Sequence, residues 1–200
     1  MLRPRRPPLP KAEEGGCLEY VVHKHKARAM HYDFRLEIGG AMPSWSIPKG
    51  PTLDPSVRRL AMPTGPHDLE YRKFEGVIGS GYGAGVVMVW DAGTYNPELE
   101  VAKGIREEVK KKGQAEQTAA EEMEKGNLKF RLYGRKLSGS FALVKTGMMG
   151  AKESWLLIKH KDGSCVQGYD ANSYSSSAVS NLTMDEIFER GAKEKGPTLD

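Results

Sequence analysis

The sequence predicts a mainly β protein, a single-domain antiparallel β-barrel or curled sheet with short surface helices. Three features lead there. Short runs alternate polar and apolar residues, Gly and Pro turn signals separate the runs, and no βαβ rhythm or internal repeat is present. A chain of 200 residues organised this way buries on the order of 70% of its unfolded surface.

Residues 1–16 hold four prolines and three arginines and end in Gly-Gly, which reads as a basic, Pro-rich arm ahead of a domain over 17–200. From Leu18 the pattern turns strand-like. His31–Ile38 alternates without a fault, placing His31, Asp33, Arg35 and Glu37 on one face. Gly39-Gly40 then turns into a strand carrying Trp45 and Ile47, a hairpin signature. Pro48-Lys49-Gly50-Pro51 ends that strand. Further strands are expected at Arg59–Met62, at 86–90 (VVMVW, fully apolar), at Leu128–Leu132, at Ser140–Lys145 and at Ser154–His160.

Two helices interrupt the strands. Residues 98–125 are rich in Glu, Lys, Ala and Gln with few apolar anchors, and predict a charged helical insertion on the surface, closed by Gly126-Asn127. Thr183 and Glu186 have capping-box spacing, which predicts a terminal helix over 183–193 on the edge of the barrel.

The composition excludes several classes. Hydrophobic residues make up 38% of the chain, too many for wholesale disorder, and no run approaches the ~18 apolar residues of a membrane span. The N-terminus lacks the apolar stretch of a secretory signal. Cys17 and Cys165 cannot form a disulfide framework. The expectation is a soluble, cytoplasmic monomer. The net charge of +4 is concentrated: residues 1–75 carry 13 basic against 9 acidic side chains and four of the five histidines. Such a segment suits phosphate-bearing partners.

Chemistry concentrates in HKHKARAMHYDFR, residues 23–35. His25, His31 and Asp33 offer two imidazoles and a carboxylate, a set suited to Mn, Fe or Zn. His31 and Asp33 share a strand face, whereas His25 joins them only if Lys26–Met30 folds back. His23 is expected on the opposite side of the strand from His25, away from the site. A solvated polar strand face is the other reading of these residues. Arg35 lies one strand step past Asp33, and Lys49 and Arg59 lie in segments able to reach the same mouth. All three suit phosphate oxygens. His67 and Tyr71 add a proton donor and a hydroxyl. The Gly79–Gly85 run lacks the GK[ST] of a P-loop and precedes a strand, so it reads as a tight loop with backbone amides available to an anion.

Taken together, VVHKHKARAMHYDFRLEIGGAMPSWSIPKGPTLDPSVRRLA, HDLEYRKFEGVI, YGAG and VVMVWDAGTY resemble the 3′-phosphoesterase domain of bacterial DNA-repair ligase D, a domain that also occurs free-standing. The resemblance resumes with GNLKFRLYGRKLSGSFALVK and WLLIKHKD. It implies a small antiparallel barrel with a manganese-dependent site that heals 3′ ends during non-homologous end joining. The implied reaction removes a terminal ribonucleoside and then the 3′-phosphate, leaving a 3′-hydroxyl. By motif, His25, His31 and Asp33 would hold one divalent metal. Arg35, Arg59 and His67 would grip the scissile phosphate, with Lys49 and Tyr71 in support. The implied partners are DNA or RNA-tipped primer–template ends, a ligase, a polymerase and a Ku-like end-binding protein.

The chain departs from the family pattern in four places. Gly65-Pro66 stands where an acidic pair precedes the histidine, and the loop before YGAG is one residue shorter. Nothing in residues 1–16 aligns with the family's N-terminal segment, and the insertion at 100–125 is longer. Phosphate removal is therefore expected to outrun ribonucleoside removal. Two rival expectations keep the fold and change the chemistry: a non-catalytic nucleic-acid-binding barrel of a repair complex, and a small-molecule metal phosphatase.

Overall fold

The computed structural model describes residues 16–81, 83–149 and 152–194, so all of the arm expected over 1–16 except Gly16 lies outside the described residues. Eight strands close an antiparallel barrel in the order β1(Leu18–Lys26), β2(Met30–Leu36), β3(Ala41–Ile47), β4(Arg58–Asp68), β10(Lys152–Lys159), β9(Ser138–Met149), β8(Asn127–Gly134) and β6(Gly85–Ala102). Pairing of β6 with β1 makes the closure, from Leu18 opposite Tyr95 to Lys26 opposite Val86. Two short strands lie off the ring: β5(Gly76–Ile78) and β7(Ile105–Glu108), both paired to β6.

Alternation decides which side of each strand meets the core. Tyr20, Val22, Tyr32, Phe34, Leu36, Trp45, Trp90, Phe130, Phe141 and Leu157 fill the lumen and are almost fully buried. The lumen is therefore a packed aromatic and aliphatic core, as small barrels require. One buried carboxylate ties its wall together. Asp91 accepts hydrogen bonds from the Arg135, Lys136 and Leu137 backbone amides and from the Tyr20 hydroxyl.

β6 runs for 18 residues, far beyond the apolar stretch 86–90 that the sequence marks. Its continuation is disguised by Gly93, Asn96 and Pro97. Gly93 is there for space, since a Cβ at that position would lie 2.1 Å from the Tyr133 carbonyl oxygen on β8. The charged insertion also differs from its expected form. Residues 98–108 continue as a two-stranded ribbon, and only α1(Lys112–Glu124) is helical. The charges that looked like a helix surface are cross-strand partners: Glu98 binds Arg131 at 3.1 Å and Arg106 at 3.5 Å, and Lys129 reaches Glu100 at 3.2 Å. Nor is α1 a free surface element. Ala115 and Ala119, one helical turn apart, are buried in the core cluster.

α2(Met184–Glu194) is capped by Thr183 and Glu186 exchanging hydrogen bonds, and its buried Ile187 packs with the core cluster. Among the described residues no helix is long and apolar enough to cross a membrane.

Candidate active site

The site lies on the outer face of β1, β2, β3 and the end of β4, and strand register assembles it. The β1–β2 hairpin sets His25 opposite His31 and His23 opposite Asp33. The fold-back of Lys26–Met30 that His25 needed is the turn of this hairpin. β3 brings Ser44 opposite Arg35. Between Met42 and Ser44 the register with β4 shifts, Met42 facing His67 and Ser44 facing Thr64. That one extra residue on β4 turns His67 onto the face shared by Ser44 and Arg35.

His25, His31 and Asp33 each present a ligating atom, all within 4.8 Å of one another. His31 Nε2 lies 3.5 Å from Asp33 Oδ1, and His25 Nδ1 lies 3.9 Å from Asp33 Oδ2. Backbone carbonyls select the tautomers. His25 Nε2 donates to Gly83 O at 2.9 Å, leaving its Nδ1 lone pair toward Asp33. His31 Nδ1 donates to Ala29 O at 3.1 Å, leaving Nε2 free. Two oriented imidazole lone pairs beside one carboxylate fit a divalent transition metal, and the carbonyls act as the outer hydrogen-bond partners such ligands use.

Arg35 is the hub beside this trio and is only 3% exposed. Its Nη2 donates to Asp33 Oδ2 at 2.9 Å, and its Nη1 to Ser44 Oγ at 2.8 Å and His67 Nδ1 at 2.9 Å. Its Nε donates to His23 Nδ1 at 3.0 Å. Arginine can only donate, so both histidine Nδ1 atoms accept, and in the neutral ring Nε2 carries the proton. Tyr71, in the short 3₁₀ turn Leu69–Lys73, stacks on His67 at 4.6 Å between ring centroids and lies 5.2 Å from the Arg35 guanidinium. Its ring makes these contacts, where the sequence pointed to its hydroxyl.

A match to the model of the DNA ligase D 3′-phosphoesterase domain covers residues 23–145, which hold every side chain of this site. The chain belongs to that family. Similar relatives include the multifunctional non-homologous end joining protein LigD of Pseudomonas aeruginosa, 44% identical over 155 residues, 77% of this chain and 16% of that protein. The corresponding DNA repair protein of Mycobacterium tuberculosis is 38% identical over 158 residues, 78% of this chain and 18% of its own length. LigD of Mycolicibacterium smegmatis is 33% identical over 158 residues, 78% of this chain and 19% of that protein. The chain thus spans less than a fifth of the length of these relatives.

Within this phosphoesterase-family site the electrostatics favour neutral imidazoles. Burial holds His23, His25 and His67 below the usual histidine range, reinforced by the Arg35 charge at His23 and His67 and by His31 at His25. Burial raises the Tyr71 phenol.

Lys49 and Arg59 are not drawn into the cluster by any hydrogen bond or ion pair among the described residues. Lys49 is exposed in the turn after β3, at the His31 end of the strands. Arg59 pairs with Leu157 and shares the parity of core-facing Ala61, opposite to His67's face, and its buried Nε has no hydrogen-bond partner. In the Gly79–Gly85 run the Gly83 carbonyl faces the site, where it accepts from His25 Nε2.

Sequence reasoning missed two participants. His23 was expected to point away, but residues two apart on a strand share a face, and His23 lies on the side of His25, against Arg35. Ser44 gave no signal of its own; only its register with Arg35 reveals it.

Proposed function

We propose that the protein is a metal-dependent DNA 3′-end-healing phosphoesterase. In this reading it removes a 3′-phosphate, and more slowly a 3′-terminal ribonucleoside, to leave a 3′-hydroxyl for end joining. Membership of the ligase D 3′-phosphoesterase family supports a hydrolase acting in DNA-repair end processing. The observation that carries the finer reading is the shared carboxylate. Asp33 faces His31 through Oδ1 and both His25 and the phosphate-type donor Arg35 through Oδ2, so the two halves of the site are a single unit.

His25, His31 and Asp33 would hold a divalent metal, manganese in this reading. Bound there, it supplies Lewis acidity that offsets the charge of a phosphate. The chain's own groups do the rest. Arg35 has one Nη2–H left over for a phosphate oxygen, and His67, fixed by Arg35 with its proton on Nε2, donates a second hydrogen bond from that atom. Both stabilise charge that builds on the equatorial oxygens in the transition state. Tyr71 keeps these two donors in register by stacking. Lys49, exposed at the His31 end, is assigned to the attraction of the substrate phosphate; Arg59, on the opposite face of β4, is not.

The test uses primer–templates ending in a 3′-phosphate or a 3′-ribonucleotide, with Mn²⁺ varied and a free nucleoside monophosphate as competitor. Mn²⁺-dependent phosphate release from the DNA end, faster than ribonucleoside removal, is expected. Release only from the free nucleotide, or binding without turnover, would sink the reading.

A further inference from the structure

Arginine carries five N–H donors, and the protein occupies four on Arg35. Three of those bonds go to groups already given roles: Asp33, Ser44 and His67. The fourth goes to His23, and it is the one that engages Nε. Rotation about the Cδ–Nε bond carries Nε–H and both Nη atoms together, so the acceptor on Nε–H adds a fourth anchor, on the edge nearest the stem, that helps to fix the plane in which the remaining Nη2–H points.

His23 is unusual in what surrounds it. It is 0% exposed, and Nδ1 is committed to Arg35. Its buried Nε2 makes no hydrogen bond of good geometry among the described residues, the Phe74 backbone interacting with the ring only weakly. Burying a poorly paired donor opposes folding, so a histidine there is a poor choice for stability alone. The ring also meets Tyr71 edge-on at 5.3 Å between centroids, and Tyr71 stacks on His67. His23 therefore touches Arg35 directly, reaches His67 through Tyr71, and is closed off from solvent.

We propose that His23 is a positioning residue, holding the plane of the Arg35 guanidinium so that its free Nη2–H and the His67 Nε2–H converge on one phosphate. This rests on the phosphoesterase reading and deepens it. Two substitutions separate positioning from packing. His23→Leu fills similar space without an acceptor, whereas His23→Asn places Oδ1 at the same branch point as Nδ1.

With a 3′-phosphate primer–template, His23→Leu is expected to lower kcat by on the order of 10–100-fold, the range typical for outer partners of functional groups. Its thermal midpoint should hold or rise, because the poorly paired Nε2–H is gone, and its Mn²⁺ affinity by calorimetry should stay within about twofold of the parent. His23→Asn should restore most of kcat. Nitrogen NMR of the unmodified protein should find His23 protonated on Nε2 and the Arg35 Nε–H protected from exchange, with protection lost in His23→Leu.

A wild-type kcat in His23→Leu, a fall in kcat matched by a fall in midpoint that Asn does not repair, or an Nδ1-protonated His23 would each overturn the proposal. If the unmodified protein released no phosphate from 3′ ends, the phosphoesterase reading would fail, and the tautomer and exchange measurements would still decide the role of His23.

Discussion

Asp33 and His31 sit side by side, yet removing each has a different physical cost. The His31 side chain is 25% exposed and its loss strands no charge, so His31→Ala should abolish Mn²⁺-dependent turnover with little change in thermal midpoint. Asp33 neutralises Arg35, and both side chains are at least nine-tenths buried. Breaking such a pair from one side costs about 3–5 kcal/mol. Asp33→Ala should therefore lose turnover and also unfold at markedly lower urea concentration. Equal midpoints for the two variants would show that Arg35 does not depend on Asp33.

A second residue-scale prediction concerns acid. Burial, with help from Arg106, Lys159 and Lys129, lowers His160 to about 4, against an ordinary value near 6.5. The fold holds this ring neutral, so the unfolded chain binds the extra proton between those limits. Stability should be complete above about pH 6.5 and decline as pH falls toward 4. A pH series of melting curves on the parent and on His160→Asn checks this, the variant showing a shallower acid limb. Identical limbs would assign the acid sensitivity elsewhere.

At the scale of elements, β6 is the most instructive. Its second half pairs with β8 only because Gly93 lets the strands touch, so Gly93→Ala should cost about 1–3 kcal/mol or more by overpacking. Denaturant midpoints read this directly, and an unchanged midpoint would mean that β6 and β8 part readily. The same strand shows what the sequence could and could not reveal. β2 was legible because one face meets the core and the other does not, which writes period-two alternation into His31–Ile38. β6 was not, because its pairing partners change along its length and Gly93 and Pro97 interrupt the pattern. Residues 98–108 read as helix because their charges are satisfied across strands, where composition alone cannot tell a neighbour one turn away from a neighbour one strand away. At the site, His31, Asp33 and Arg35 were legible from parity on one strand. His25 depended on a hairpin, His67 on a bulge, and Ser44 on register, all of them long-range facts.

For the whole molecule, charge is the relevant quantity. The excess of positive charge lies in residues 1–75, and residues 1–12 contribute Arg3, Arg5, Arg6 and Lys11 to it. Deleting residues 1–12 removes none of the groups assigned to the site. Binding to duplex ends should weaken, and the slope of log affinity against log salt should shrink by about 1 for each phosphate no longer neutralised, with the chemical step little altered. A slope that does not move would show that these residues stay clear of nucleic acid.

β1 has two duties: it closes the ring against β6, and it carries His23 and His25. His25 is also fastened by the Gly83 carbonyl, from the loop that leads into β6, so one ligand is tied across the closing seam. Parting of β1 from β6 would disperse the ligand trio before the rest of the wall is disturbed. If the trio holds an ion as proposed, thermodynamic linkage makes that ion a latch: anything that binds only the closed ring stabilises it by RT ln(1 + [L]/Kd), about 2.7 kcal/mol at a hundredfold excess over Kd. Mn²⁺ should accordingly raise the melting temperature of the parent and slow hydrogen exchange along the β1–β6 ladder, and it should do neither in His31→Ala. Metal supply in the cell would then govern the lifetime of this protein as well as its turnover.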